Sequence, residues 1–331
     1  MPDPVRTAVI TEPGGDHFGS YVTGLVRAAG VSELAIADPG GKPPATAPAA
    51  KFYRDHREML LEFRPHLVVI TVEPRHAPAV ISDALEANAH VVSEKPPCTR
   101  LDQFESLAAK ARSKQRELML SMATRCLPMA RKVRELVASG QIGQPYGVTM
   151  NWVADQTRVR RPEWQRGWHA SKARAGGGKL IYHGIHYLDL IRWWVDSPVA
   201  EVCGFCRNVG GQPIETEDAA VISMRFANGM VGTLNAGYYL DRGYSRSVLL
   251  WGSKGWVRYD PAVPIEWYTP ASGVQRLGDE TGDAYHFLMQ AAVDFVRGAA
   301  PPVMTTSESL EVIRAVFAGY RAAESGRSIK V

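Results

Sequence analysis

The sequence predicts an α/β protein in two parts, a doubly wound parallel sheet followed by an α+β domain with a mostly antiparallel sheet. Up to about residue 123, short and almost wholly apolar runs alternate with helix-period segments. That is the pattern of strands covered on both faces by helices. Beyond residue 124 the character changes, and from about 199 to 268 strand-like runs follow one another with no helix between them. Asn228-Gly229 separates two of these runs, a strong hairpin signal. The expected domains are therefore 1–123 and 124–331.

In order, Thr7–Thr11 reads as a buried strand, Phe18–Ala29 as a helix and Glu33–Ala37 as a second strand ending at Asp38. A loop rich in Pro and Ala follows from Pro39. Leu67–Thr71 is a strand, Pro78–Asn88 a helix, His90–Ser93 a strand, Leu101–Gln115 a helix and Leu118–Ser121 a strand. The second part opens with a helix over Met129–Ser139 and a strand over Val148–Val153. Lys179–Trp194 is a strongly patterned helix. Strands are then expected at 199–207, 219–226, 230–239, 248–252, 256–259 and 265–268, and helices over Ala284–Arg297 and Ser307–Ala323.

With 331 residues, 45% of them hydrophobic and 22% charged, the chain can bury a core in each of two domains. A net charge of +4, spread along the chain, is too mild to indicate nucleic acid or a membrane surface. No apolar h-region precedes the first strand and no run reaches membrane-spanning length, so a cytoplasmic protein is expected. Cys203-Gly-Phe-Cys206 has the spacing of a redox or zinc half-site. In a strand, however, residues i and i+3 face opposite ways, and no second pair completes a site. Buried thiols in a reducing compartment, and no metal, are expected.

A Rossmann turn needs glycines directly after the first strand, for a tight turn and close approach to a pyrophosphate. Here the turn is Thr11-Glu-Pro-Gly14-Gly15-Asp16-His17-Phe18-Gly19. Gly14 and Gly19 have the spacing of the first and third glycines, Gly15 lies beside the first, and Asp16 replaces the second. Asp38 stands about 20 residues further on, where an acid accepts from a ribose 2′-OH. No arginine follows it directly, which favours NAD over NADP.

Glu94-Lys95-Pro96 follows a strand ending at the carboxyl edge of the parallel sheet, where ligands sit in such folds. A lysine there, partly desolvated, can bond a substrate hydroxyl and help to move its proton as a hydride leaves the carbon. Further on, Tyr182, His186, Asp189 and Trp193 recur at helical spacing on one face. Gly184 removes bulk beside His186, and His183 turns to a different side, which leaves it as a second candidate. The segment Arg158 to His169 is basic and aromatic. Its Trp faces suit the C–H faces of sugars, and an arginine there could pair a carboxylate or phosphate.

Taken in order, these motifs resemble the Gfo/Idh/MocA oxidoreductases, related to glucose–fructose oxidoreductase and inositol dehydrogenase. The resemblance rests on the N-terminal strand–turn–helix, Asp38, Thr71-Val-Glu-Pro74-Arg-His76, His90-Val-Val-Ser-Glu94-Lys95-Pro96 and Arg125. It continues through Ser139–Gly143, Gly176-Gly-Gly178, Gly184-Ile-His186-Tyr-Leu-Asp189 and the C-terminal tail. It implies a Rossmann domain joined to an open-faced sheet domain, acting on sugars, inositols or related polyols. It implies a cofactor set of Gly14, Gly15, Gly19, Asp38, Thr71, Pro74, His76, Glu94, Lys95 and Arg125. It implies Lys95, His186, Tyr182 and Asp189 as catalytic groups, and Lys95, Trp168, Tyr182, His183 and His186 around the substrate.

The chain departs from the family at the turn Glu12–Asp16 and at Tyr182, where an Asp is usual. The expected activity is hydride transfer between a secondary alcohol of a sugar-like polyol and NAD. Two alternatives stay open. One is redox-neutral, NAD-dependent glycoside elimination through a transient ketone, and the other is a non-catalytic sugar- or nucleotide-sensing protein. The expected partners are a small-molecule substrate and a second or further copies of the chain, as a homodimer or homotetramer.

Overall fold

The computed structural model describes residues 4–42, 44–278 and 282–331. The chain divides into two compact units, residues 1–126 with 283–310, and residues 127–282 with 311–331.

The first unit begins with β1 (Val5–Thr11), α1 (Phe18–Arg27), β2 (Val31–Ala37), β3 (Lys51–Tyr53) and α2 (His56–Phe63). It continues with β4 (Leu67–Thr71), α3 (Ala77–Glu86), β5 (His90–Ser93), α4 (Leu101–Ser113) and β6 (Leu118–Leu120). The strands form one parallel sheet in the order β3-β2-β1-β4-β5-β6. β1 is thus flanked by β2 and β4, and the crevice at their carboxyl ends is the topological switch point of a doubly wound sheet. Every residue of β4 is buried, as its unbroken apolar run requires. Two elements lie where a loop was expected. β3 adds an edge strand, and α2 starts where the Asp55 carboxylate accepts from the Arg57 and Glu58 amides at 2.6 and 3.2 Å.

The second unit begins with α5 (Pro128–Ala138) and β7 (Pro145–Asp155). Three short helices follow, α6 (Thr157–Arg160), α7 (Pro162–Arg166) and α8 (Lys172–Ala175). The helix expected over Lys179–Trp194 is in two parts, a π-helical turn over Leu180–Gly184 and then α9 (Ile185–Val195). Seven strands come next, β8 (Val199–Arg207), β9 (Ala219–Phe226), β10 (Val231–Leu240), β11 (Tyr244–Gly252), β12 (Trp256–Tyr259), β13 (Ile265–Thr269) and β14 (Gly273–Leu277). The chain returns to the first unit with α10 (Ala284–Arg297) and the start of α11 (Thr306–Ser325). The rest of α11 and β15 (Ile329–Lys330) belong to the second unit.

The nine-stranded sheet has the order β14-β13-β12-β11-β7-β10-β9-β8-β15. Only the β10–β7 pairing is parallel among those described. β9 shows its logic: Ala220, Ile222, Met224 and Phe226 are buried while Val221, Ser223 and Arg225 are exposed, so one face is covered and the other open. This alternation corrects the expectation for the cysteines. Cys98 and Cys126 are buried, but Cys203, opposite Ser223 on the open face, is exposed, and Cys206 is only partly covered. No helix among the described residues is long and apolar enough to cross a membrane.

α10 explains why the first unit needs residues from far along the chain. Leu288, Met289 and Val293 share one apolar cluster with Val5, Val9, Tyr21, Leu25 and Val69. α1 and α10 touch where Gly24 would place a Cβ 2.9 Å from Met289 Cγ.

Candidate functional site

In the first unit, the turn after β1 is built by contacts that exclude a side chain at Gly15. A Cβ there would lie 2.3 Å from the Thr71 carbonyl oxygen and 2.5 Å from Thr11 Oγ1. Thr71, fully buried, fixes this turn from β4: its hydroxyl donates to the Asp16 carbonyl, and its own carbonyl accepts from Thr11 Oγ1 at 3.1 Å. Gly14 has φ +90°, a conformation that suits glycine. A Cβ on Gly19, by contrast, would have nothing within 4 Å. The crowded glycine is therefore Gly15, which the glycine spacing did not single out. His17, not Asp16, is the N-cap of α1, and it makes no side-chain cap hydrogen bond.

Asp38 follows β2, and its Oδ1 accepts from the Gly40 amide at 3.0 Å. Glu12 accepts from the Glu73 amide at 2.6 Å and meets His76 Nδ1 at 3.0 Å, while Glu73 pairs with Arg75 at 2.6 Å. Glu12, Glu73 and His76 bring metal-ligand types within 4.8 Å of one another, a grouping not apparent in the sequence. Pro74 is buried.

Glu94 and Lys95 follow β5 and are 6% and 4% exposed. Glu94 Oε1 accepts from the Lys95 amide at 2.9 Å and lies 3.7 Å from Lys95 Nζ. Its Oε2 accepts from Tyr21 Oη and lies 3.1 Å from His17 Nδ1. Ser121 Oγ lies 2.5 Å from the same phenol oxygen and donates to it. Burial, and then the Glu94 charge, push the Tyr21 phenol well above its ordinary range. One buried carboxylate thus gathers residues from α1, β5 and the loop after β6. Arg125 is placed differently from its neighbours in the motif list. Its guanidinium is buried, meets Glu308 at 3.1 Å and donates to the Val303 carbonyl at 3.2 Å.

These residues fit a dinucleotide. The close Gly15 turn leads into a helix of ten residues whose cap side chain makes no hydrogen bond to the first turn, and an acid follows β2. Gly14, Gly15 and the start of α1 would hold the phosphates, and Asp38 a ribose.

In the second unit, His183 lies in the π-helical turn at Leu180–Gly184 and His186 in α9, and both meet one ring. Trp152 of β7 lies 5.1 Å from His186, stacked at 24°, and 5.6 Å from His183. His183 therefore does not turn away from His186. Its ring is buried and meets Tyr182 at 4.6 Å and Tyr238 at 5.9 Å. Gly184 also serves a purpose other than the one expected. A Cβ there would meet Leu180 Cδ1 at 3.0 Å and Leu234 Cδ2 at 3.2 Å, so it lets the helix lie close on β10 rather than admitting a ligand. Asp189 is buried in α9.

Trp168 stacks on His169 at 3.6 Å, Trp164 stacks on the same ring at 4.0 Å, and Tyr182 meets it edge-on at 5.2 Å. Lys179 Nζ stands 4.1 Å from the Tyr238 ring centroid. Burial raises the Tyr238 phenol above its ordinary range.

The run Glu215-Thr-Glu-Asp218, before β9, fastens this aromatic segment, and sequence reasoning missed it. Glu215 accepts from Ser171 Oγ and the Lys172 amide at 3.0 and 2.9 Å. Thr216 donates to the His169 carbonyl at 2.9 Å. Glu217, partly buried, accepts from the Gly178 amide at 2.6 Å, the Leu180 amide at 3.0 Å and Tyr320 Oη at 2.8 Å. Burial raises its pKa, against the pull of these donors. Gly177 and Gly178 are needed for the same reason, since a Cβ on either would lie 2.1 Å from Tyr320 Oη or the Glu217 carbonyl oxygen. The only signal was an acidic cluster in a loop, which reads as solvated surface.

Comparison with known proteins agrees with these two halves. Residues 21–122 match the oxidoreductase family with an NAD-binding Rossmann fold, and residues 130–258 match the Gfo/Idh/MocA C-terminal domain. The first match starts just beyond the altered turn. The chain is 28% identical over 166 residues to YteT of Bacillus subtilis, a match spanning 50% of this chain and 38% of that protein. It is 26% identical over 302 residues to the D-glucoside 3-dehydrogenase of Escherichia coli, covering 85% of this chain and 84% of that one. Among solved structures, the WlbA dehydrogenase of Bordetella pertussis, in complex with NADH and UDP-GlcNAcA, superposes with a TM-score of 0.85. It is 22% identical and covers 100% of this chain and 99% of its own. With both of its units matched in order, the chain belongs to the Gfo/Idh/MocA family of oxidoreductases and carries that family's NAD-binding Rossmann domain.

Proposed function

We propose that the protein is an NAD-dependent dehydrogenase that oxidises a secondary alcohol of a sugar-like polyol, or reduces the corresponding ketone. The observation that supports this reading is Lys95, a buried amine at the carboxyl end of β5, held beside the buried Glu94 carboxylate. The dehydrogenase activity of a relative matched over most of the chain supports it too.

In this reading Lys95 donates a hydrogen bond to the reacting oxygen and stabilises the charge that develops there. Glu94 keeps the amine in place and offsets its charge. Bound NAD would supply the hydride acceptor for the carbon. In the second unit, His186, whose ring stacks on Trp152 at 24°, is the residue assigned to proton acceptance. Tyr182 and Trp168 line the sugar, and Asp189 sets the helix beneath His186.

The test is a screen of NAD reduction against sugars, sugar acids and inositols with the purified protein. Turnover should appear with one class and fall by about 10²- to 10⁴-fold in Lys95→Ala and His186→Ala. Full turnover by Lys95→Ala on the best substrate would overturn the assignment.

A further inference from the structure

Arginines drawn away from solvent in the second unit typically meet an acid or a carbonyl. Arg192, buried in α9, pairs with Glu311 at 2.9 Å. Arg134 donates to the Trp193 carbonyl at 3.1 Å. Arg158 and Arg246 are also partly buried, yet among the described residues neither has a carboxylate within ion-pair distance. Their neighbours are aromatic instead. Arg158 donates to Tyr244 Oη at 2.6 Å and lies 5.6 Å from the Trp164 ring centroid. Arg246 lies 5.2 Å from the Tyr244 ring and 5.7 Å from the Trp152 ring.

The register of the sheet sets this arrangement. Arg246 on β11 is directly opposite Trp152 on β7, and Tyr244 is opposite Ala154, two residues on. Arg246 therefore occupies the covered face of the sheet, on which Trp152 stacks against His186. Arg246 and His186 are both within 6 Å of one indole. A ring beside a guanidinium interacts with its face and leaves in-plane N–H donors for an oxyanion. Withdrawing two such cations from water with no counter-charge is costly, and an incoming anion removes that cost.

We propose that Arg158 and Arg246, each within 6 Å of the Tyr244 ring centroid, form an oxyanion subsite, so that the substrate is an acidic sugar. This rests on the reading of His186 as the group beside the reacting carbon. The shared chemistry is a carboxylate or a phosphate carried on the sugar ring, with the oxidised carbon at His186 and the anion beyond Trp152. The exposed Arg160, Arg161 and Arg166 of the same segment are ordinary solvated surface by comparison.

The test uses the full chain with NADH present, and calorimetry with glucose, glucuronate, glucose 6-phosphate, galactose, galacturonate and myo-inositol. NAD reduction is measured on the same panel. An acidic member should bind about 10- to 100-fold tighter than its neutral counterpart. The carboxylate and phosphate arms say which oxyanion is taken. Arg158→Gln and Arg246→Gln should each erase most of that preference by raising KM for the acid while leaving kcat and the neutral sugar little changed. Arg158→Lys and Arg246→Lys, which keep the charge, should restore part of it, which separates charge recognition from misfolding.

Equal or tighter binding of the neutral partners, no binding of any acid, or equal losses on acid and neutral sugars would overturn the subsite. Tight binding of an acid without NAD reduction by any panel member would count against the dehydrogenase reading and leave the subsite standing.

Discussion

Glu94 meets Lys95 twice, accepting from its amide at 2.9 Å and standing 3.7 Å from its ammonium nitrogen. Backbone and side chain of the same lysine are thus fixed by one carboxylate, whose other oxygen is taken by Tyr21 and His17. Glu94→Gln keeps the volume and loses the charge. It should lower kcat/KM about 10- to 100-fold and reduce stability by about 1–3 kcal/mol, read by steady-state kinetics and urea unfolding. Unchanged kinetics with reduced stability would confine Glu94 to a packing role.

Gly15 and Gly19 should respond oppositely to a methyl group. Gly15→Ala drives a Cβ into the Thr71 carbonyl and should cost several kcal/mol of stability and at least tenfold in NADH affinity. Gly19→Ala meets open space in the first turn of α1 and should leave stability unchanged or raise it by up to about 1 kcal/mol. Thermal melts and NADH fluorescence titrations of the two variants make the comparison, and equal losses would contradict the geometry.

Glu217 acts through the chain it holds, not by touching substrate. Glu217→Gln keeps one acceptor oxygen but leaves the Gly178 or Leu180 amide facing a donor, so the π-helical turn bearing Tyr182 and His183 should loosen. kcat should fall about tenfold with NADH affinity unchanged. Glu217→Asp, which keeps the charge, should recover less activity than wild type but more than Glu217→Ala. A change confined to thermal stability would show that the turn does not govern turnover.

His90 supplies an acid-labile element. Burial, followed by the nearby Arg116 charge, lowers its pKa from 6.5 to about 4, and the neutral ring accepts from the Glu117 amide at 3.0 Å. The folded state therefore binds fewer protons than the unfolded chain between these values. The stabilisation is fully present above pH 6.5 and is lost as pH falls through 4, by about 3 kcal/mol in all. Urea midpoints across pH 4–7 should fall toward acid in wild type and less steeply in His90→Gln, and parallel profiles would refute this.

Much of the framework was legible because it depends on periodicity. The fully apolar β4, the alternating β9 and the hairpin at Asn228-Gly229 each carry their conformation in adjacent residues. The functional detail depends on contacts distant in sequence. The Gly15 turn is fixed by Thr71, sixty positions away in the hydrogen bond from Thr11, and the π-helical turn by Glu217, thirty-seven to thirty-nine positions on. His183 and His186, three positions apart and so neighbours on a helix surface, share the Trp152 ring, against the expectation that His183 turns to a different side. Trp152 and Arg246 are plain strand residues until the β7–β11 register sets them side by side.

The return of α10 to the first unit has a consequence for the order in which the protein can be made. Met289 and Val293 complete an apolar cluster that begins at Val5, so a ribosome must release nearly three hundred residues before the dinucleotide-binding unit can close. Until then Tyr21 and Leu25 lack the surface that covers them. Gene truncations placed between residues 126 and 283 will remove part of the unit they were meant to preserve.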